Sequence, residues 1–150
     1  MKTLTPSLED YLEELYRFSL SVDTVRVTDL SIKLSVSMPS VTKALHKLKH
    51  AQYISYERYG EITLTEKGKE LGDFLVKRNR LLQEFLVLIN TDCDIAAEAE
   101  AMEHYLSEAT IRSIQAMVTF LNQNPEWHKD LLEYIVSFSK TSQLNPDELN

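Results

Sequence analysis

The amino-acid sequence predicts a mostly α-helical protein, with an N-terminal winged helix-turn-helix carrying a two-stranded wing, followed by an all-helical dimerisation domain. Three observations predict it. Residues 28–50 read as helix, short turn, helix, with apolar residues on one face and hydroxyls and lysines on the other. Tyr53 to Leu64 then alternates like a hairpin, with Gly60 where a tight turn favours positive φ. From Thr65 to Phe138 apolar residues recur at spacings of three and four, and only three glycines and four prolines interrupt 150 residues.

The elements follow in order. Pro6 and Ser7 start helix 1, which runs to Leu20 with Leu8, Tyr11, Leu12, Leu15, Tyr16 and Phe18 as its apolar face. Thr28 caps a short second helix that offers Leu30, Ile32 and Leu34 to the core. Ser35-Val36-Ser37 forms the turn. Ser37 then caps a third helix, with Pro39 in its first turn, where a missing N–H costs nothing. This helix reaches His50 and buries Val41, Ala44, Leu45 and Leu48. Strands over Tyr53–Glu57 and Glu61–Leu64 flank Arg58-Tyr59-Gly60, and Thr65 opens a long helix that ends at Asn90-Thr91-Asp92. Three more helices are expected over Asp94–Leu106, from Ser107 to the break at Asn122-Gln123-Asn124-Pro125, and over Glu126–Phe138. The predicted domains are residues 1–72, 73–140 and a flexible tail at 141–150.

A net charge of −7 argues at first sight against a nucleic-acid partner, but the charge is unevenly placed. Residues 1–80 hold 13 Lys/Arg against 11 Asp/Glu, and residues 81–150 hold 3 against 12. The front half therefore tolerates phosphates. Its reading head is expected to comprise Ser37, Pro39, Ser40, Thr42, Lys43 and Lys47 on the third helix, with Arg58 at the wing tip entering the minor groove. Hydroxyls and N–H groups at a helix start reach phosphates and base edges, while lysines further along neutralise the backbone. A module of this kind reads few base pairs, so a homodimer on a double-stranded operator is expected.

The acidic half carries Glu100-Ala101-Met102-Glu103-His104. Positions i, i+3 and i+4 share one helical face, and helix 1 holds a comparable pair, Asp10 and Glu13. Four carboxylates and one imidazole form an oxygen-rich donor set suited to Mn²⁺ or Fe²⁺ rather than to thiophilic ions. The same residues also describe a solvated helix face.

Taken together, Pro6-Ser7-Leu8-Glu9-Asp10-Tyr11-Leu12-Glu13, Pro39-Ser40-Val41-Thr42-Lys43, Leu64-Thr65-Glu66-Lys67-Gly68 and Glu103-His104-Tyr105-Leu106-Ser107 resemble the diphtheria-toxin-repressor family of metal-dependent regulators. The similarity is greatest to its short manganese-transport-regulator branch. The resemblance implies a metal site between helix 1 and the dimerisation helices, with Asp10, Glu13, Glu100, Glu103 and His104 at ligand positions. It implies Mn²⁺ as co-repressor, with Fe²⁺ or another divalent transition metal as the alternative. The iron-responsive branch has methionine and cysteine where this chain has Asp10 and Glu100, and the chain stops too early for that branch's SH3-like domain. Asn79 stands where the family has a histidine ligand, so an amide oxygen is the available donor there, and Gln83 and Glu84 are near in sequence. The expected function is repression of metal-uptake genes when the ion is plentiful, the metal restraining the reading heads at the half-site spacing.

The competing readings are a winged-helix regulator that is metal-blind or senses an organic ligand, a protein-interaction module, and a carboxylate-bridged metal enzyme. The enzyme reading needs two Glu-x-x-His motifs, and Ala101 lies three residues before His104, so no enzyme and no small organic substrate are expected. No run of about 18 apolar residues marks a membrane span. One cysteine and a start without a signal peptide predict a cytoplasmic protein with no internal disulfide. Cys93 sits among acids and is expected to be unreactive. His46, His50 and His128 read as non-ligands.

Overall fold

The structure is a computed structural model that describes residues 4–21, 24–56 and 61–141. Those residues form α1 (Pro6–Ser19), α2 (Val27–Lys33), α3 (Met38–His50), β1 (Ile54–Tyr56), β2 (Ile62–Leu64), α4 (Glu66–Leu88), α5 (Ile95–Glu103), α6 (Glu108–Gln123) and α7 (Pro125–Thr141). The chain divides into two compact units, residues 1–78 and 79–150, the division falling inside α4. The expected fold class is the observed one: a winged helix-turn-helix followed by helices.

In the first unit α1, α2 and α3 close over a core that includes Leu12, Leu15, Leu30, Val41, Leu45 and Leu48, all at most 1% exposed. Ser37 caps α3, its hydroxyl accepting from the Ser40 N–H at 3.3 Å. Two expectations for α2 fail. Arg26 is the N-cap, because the Asp29 carboxylate accepts from its N–H at 2.9 Å, and Thr28 is already one residue inside the helix. Ile32 is 79% exposed, since a helix of seven residues turns only Leu30 fully inward. β1 and β2 pair antiparallel in the register Ile54↔Leu64, Ser55↔Thr63, Tyr56↔Ile62. An isolated bridge from Val25 to Ile62 adds a third strand contact. Arg58 and the rest of the turn lie outside the described residues, as do residues 142–150 of the expected tail.

With so few glycines, helix ends that favour a left-handed residue use other side chains. Ser35 (φ 53), Gln52 (φ 63) and Asn90 (φ 53) follow α2, α3 and α4. Beyond each, an N–H returns to the carbonyl five residues back: Val36 to Ser31, Tyr53 to Leu48 and Thr91 to Leu86. These closures satisfy carbonyls that a helix end leaves open.

The second unit buries Leu82, Leu86, Ala99, Ile111, Ile114 and Val118 in a core of its own. Asp94 and Ser107 cap α5 and α6, accepting from Ala97 N at 3.1 Å and Thr110 N at 3.2 Å. Helix α5 stops at Glu103, three residues before the expected Leu106, because Ser107 must be extended (ψ 157) to cap the next helix. Met117 and Phe138, which share the helical spacing of the apolar residues on α6 and α7, are 48% and 50% exposed. No helix among the described residues is long and apolar enough to cross a membrane.

Candidate functional site

On the first unit, α3 presents Ser37, Pro39, Ser40, Lys43 and Lys47 as exposed residues, with Thr42 half-buried. Lys43 and Lys47 make no ion pair among the described residues, so both ammonium groups face water and are available to phosphates. The hydroxyls are not idle. Ser37 and Ser40 share a hydrogen bond at 2.9 Å, and Thr42 Oγ1 donates to the Met38 carbonyl at 3.1 Å. Donation from Thr42 to a phosphate therefore exchanges one acceptor for another. Lys49, on the same helix, is committed elsewhere: its Nζ donates to the Tyr56 carbonyl of β1 at 2.6 Å, tying the wing to α3. His46 is exposed, its ring edge-on to Tyr56 at 5.7 Å. A groove of about 1020 Å³ runs between the start of α1 and α3, lined by Leu4, Leu8, Met38, Lys43 and Lys47.

Helix α1 carries Asp10, half-buried, and Glu13, only 6% exposed. Arg17, one turn on, donates from Nε and from Nη2 to Oε1 of Glu13, so both of these bonds fall on one carboxylate oxygen. The same helix is fastened to the first part of α4 by Arg78, which donates to Glu9 at 2.9 Å, and by Tyr16, which donates to Asp73 at 3.2 Å.

In the second unit Asn79, Glu103 and His104 come together. Asn79 Nδ2 donates to Glu103 Oε2 at 3.3 Å, and Gln83 Nε2 donates to Asn79 Oδ1 at 2.7 Å. His104 caps α5 at helical dihedrals and places Nε2 3.8 Å from Glu103 Oε1. Glu103 is 2% exposed, whereas Glu100 remains on the exposed side of α5. A carboxylate so buried is costly unless a cation or hydrogen bonds compensate it. Its oxygen beside an imidazole nitrogen is a donor pair that suits a divalent ion. Glu84 is turned to Asn122, which donates to it at 2.7 Å. Gln83, which the sequence offers as a donor that could compensate for Asn79, lies one turn further along the same helix face and is bonded to the Asn79 amide oxygen instead.

The remaining candidates are structural. His128 Nε2 lies 2.7 Å from the Leu88 carbonyl and so satisfies an acceptor in the last turn of α4. Desolvation, then the carboxylates of Glu98, Asp94 and Asp92, push the Cys93 thiol up from its ordinary range, which keeps the thiolate scarce at neutral pH.

Residues 3–62 match the N-terminal DNA-binding domain of iron-dependent repressors, and residues 65–132 match the metal-binding and dimerisation domain of the same proteins. The chain belongs to the iron-dependent repressor family. It is accordingly a DNA-binding transcriptional regulator with a metal-binding and dimerisation domain, and not an enzyme. It is 41% identical over 128 residues to the HTH-type transcriptional regulator MntR of Lysinibacillus sphaericus (strain C3-41), covering 85% of this chain and 92% of that one. Identity to MntR of Bacillus subtilis (strain 168) is 39% over 128 residues, or 85% and 90% of the two chains. Among solved structures it is similar to the manganese regulator SloR, with TM-score 0.68 and 28% identity over 78% of this chain and 55% of that one. A manganese-dependent transcriptional repressor in complex with manganese gives TM-score 0.69 and 28% identity over 75% and 53%. The chain thus spans about half the length of these solved repressors.

Proposed function

We propose that this member of the family is a cytoplasmic, homodimeric repressor that binds an operator in double-stranded DNA when Mn²⁺ is bound, and silences genes for metal uptake. The ligands are drawn from Asp10 and Glu13 of α1 and from Glu100, Glu103 and His104 at the α5 end, with Fe²⁺ as the alternative ion. The observation that carries the reading is the buried Glu103 carboxylate beside the His104 imidazole, within the stretch that matches a metal-binding domain. Similarity to the MntR regulators and to a manganese-dependent repressor solved with manganese supports the choice of metal. Oxygen donors in the majority support it on chemical grounds. An ion that takes ligands from α1 as well as α5 restrains the DNA-binding domain, so operator binding forfeits less conformational entropy.

Lys43, Lys47 and the N-terminal turn of α3 read the operator, with Arg58 contributing from the wing. Replacing Lys43 and Lys47 together by alanine is expected to weaken binding to every duplex. The slope of log affinity against log salt should fall by about 2, one unit per lost phosphate contact. Mn²⁺ affinity should stay as it was. Fluorescence anisotropy across a salt series checks this, and an unchanged slope removes α3 as the phosphate-contacting helix.

A further inference from the structure

In the second unit, Gln83, Asn79 and Glu103 form a directed chain of hydrogen bonds, Gln83 Nε2 to Asn79 Oδ1 and Asn79 Nδ2 to Glu103 Oε2. Its direction is dictated by chemistry. An ionised carboxylate only accepts, so Asn79 must turn its NH₂ toward Glu103. Its oxygen then faces Gln83, which meets it with an NH₂. Asn79 is 7% exposed and Glu103 2%, so bulk water does not replace a lost partner, and a broken link costs a full desolvation penalty.

We propose that Asn79 is a positioning residue for Glu103 and not a metal ligand. It holds Oε2 and thereby presents Oε1, the oxygen nearer His104 Nε2, as the donor to the ion. Gln83 keeps Asn79 in that orientation. To coordinate an ion bound at Glu103, the Asn79 amide must turn over. That turn gives up the bond to Glu103 and obliges the Gln83 amide to turn over as well to keep its own. The inference rests on the reading of Glu103 and His104 as metal ligands.

The test is a Mn²⁺ titration of the chelator-stripped full chain, read by loss of the free-ion EPR signal. It compares the unsubstituted chain with Asn79→Ala, Gln83→Met and the double variant. Asn79→Ala should weaken Mn²⁺ binding by about 10- to 100-fold, the usual effect of removing a group that orients a ligand. Gln83→Met, neutral and of similar size, should weaken it several-fold with the number of ions unchanged. In the double variant Gln83→Met should cost nothing further, since Gln83 acts only through Asn79. Were Asn79 a ligand, freeing its oxygen from Gln83 would leave affinity unchanged or raise it, and that result overturns the proposal. Additive losses overturn it too, because they describe two independent packing defects. If Asn79→Ala fails to fold, the sign of the Gln83→Met effect still decides. No Mn²⁺ binding by the unsubstituted chain sinks both this proposal and the ligand assignment, whereas normal binding with an unaffected Gln83→Met sinks this proposal alone.

Discussion

Glu103→Gln is expected to lower Mn²⁺ affinity by at least about a hundredfold, since groups that merely orient a ligand are already worth about 10- to 100-fold. The substitution keeps the shape of a side chain that is 2% exposed. It removes the negative charge and puts an NH₂ or a neutral carbonyl where a carboxylate oxygen would meet the ion. Folding of the metal-free chain should survive, because a buried charge disappears and its desolvation cost with it. Binding to a duplex selected by the unsubstituted chain should fall, in the presence of Mn²⁺, to the level measured in chelator. Calorimetric titration with Mn²⁺ and anisotropy with the duplex read the two effects separately. Operator binding that stays fully metal-responsive in this variant removes Glu103 from the site.

Gly68→Ala is expected to destabilise the first unit by about 2–3 kcal/mol, at the upper end of what overpacking a tight site costs. The glycine is buried in the first turn of α4, and an added Cβ would stand 1.9 Å from the Tyr53 carbonyl oxygen. That carbonyl cannot retreat freely. It accepts from Thr65 N at 3.0 Å and from Thr65 Oγ1 at 3.0 Å, while the Tyr53 N–H is held by Leu48 at 3.0 Å. Thr65 Oγ1 also accepts from Gly68 N at 3.1 Å, so one hydroxyl caps α4 and anchors it to the start of the wing. Alanine gains about 1 kcal/mol of helix propensity over glycine, which the clash outweighs. The unfolding midpoint of that unit should drop by about 8–24 °C. A midpoint that rises would mean the propensity gain dominates and the α3–β1 turn is softer than its bonds imply.

Much of this was legible in the sequence, and the reasons are local. Ser37, Pro39 and the Val41, Ala44, Leu45, Leu48 spacing state where α3 begins and which face it buries, because capping and periodicity act within a few residues. The helix starts at Thr65, Asp94 and Ser107 were readable for the same reason, and all three side chains cap the helices that follow. What the sequence hid depends on partners far along the chain. The Val25 bridge to Ile62, the Lys49 tether to Tyr56 and the His128 contact with Leu88 each need the tertiary fold to bring them together. Asn79 and Glu103 are 24 residues apart, so their bond was invisible, although the four-residue step from Asn79 to Gln83 offered half of the chain. Ile32, Met117 and Phe138 obey the helical period yet lie exposed, because period tells which residues share a face and not how much of that face its own chain covers.

Affinity for a duplex selected from a random pool, measured at one salt concentration with Mn²⁺ and again with chelator, tests the account most directly. Linkage between metal and DNA sites of this kind is typically about 5- to 150-fold. Tighter binding with Mn²⁺ by a factor in that range, lost on chelation and restored by fresh metal, is the predicted result. Equal affinity in the two conditions would contradict it, and would leave a winged-helix DNA binder whose operator affinity is set by something other than a metal ion.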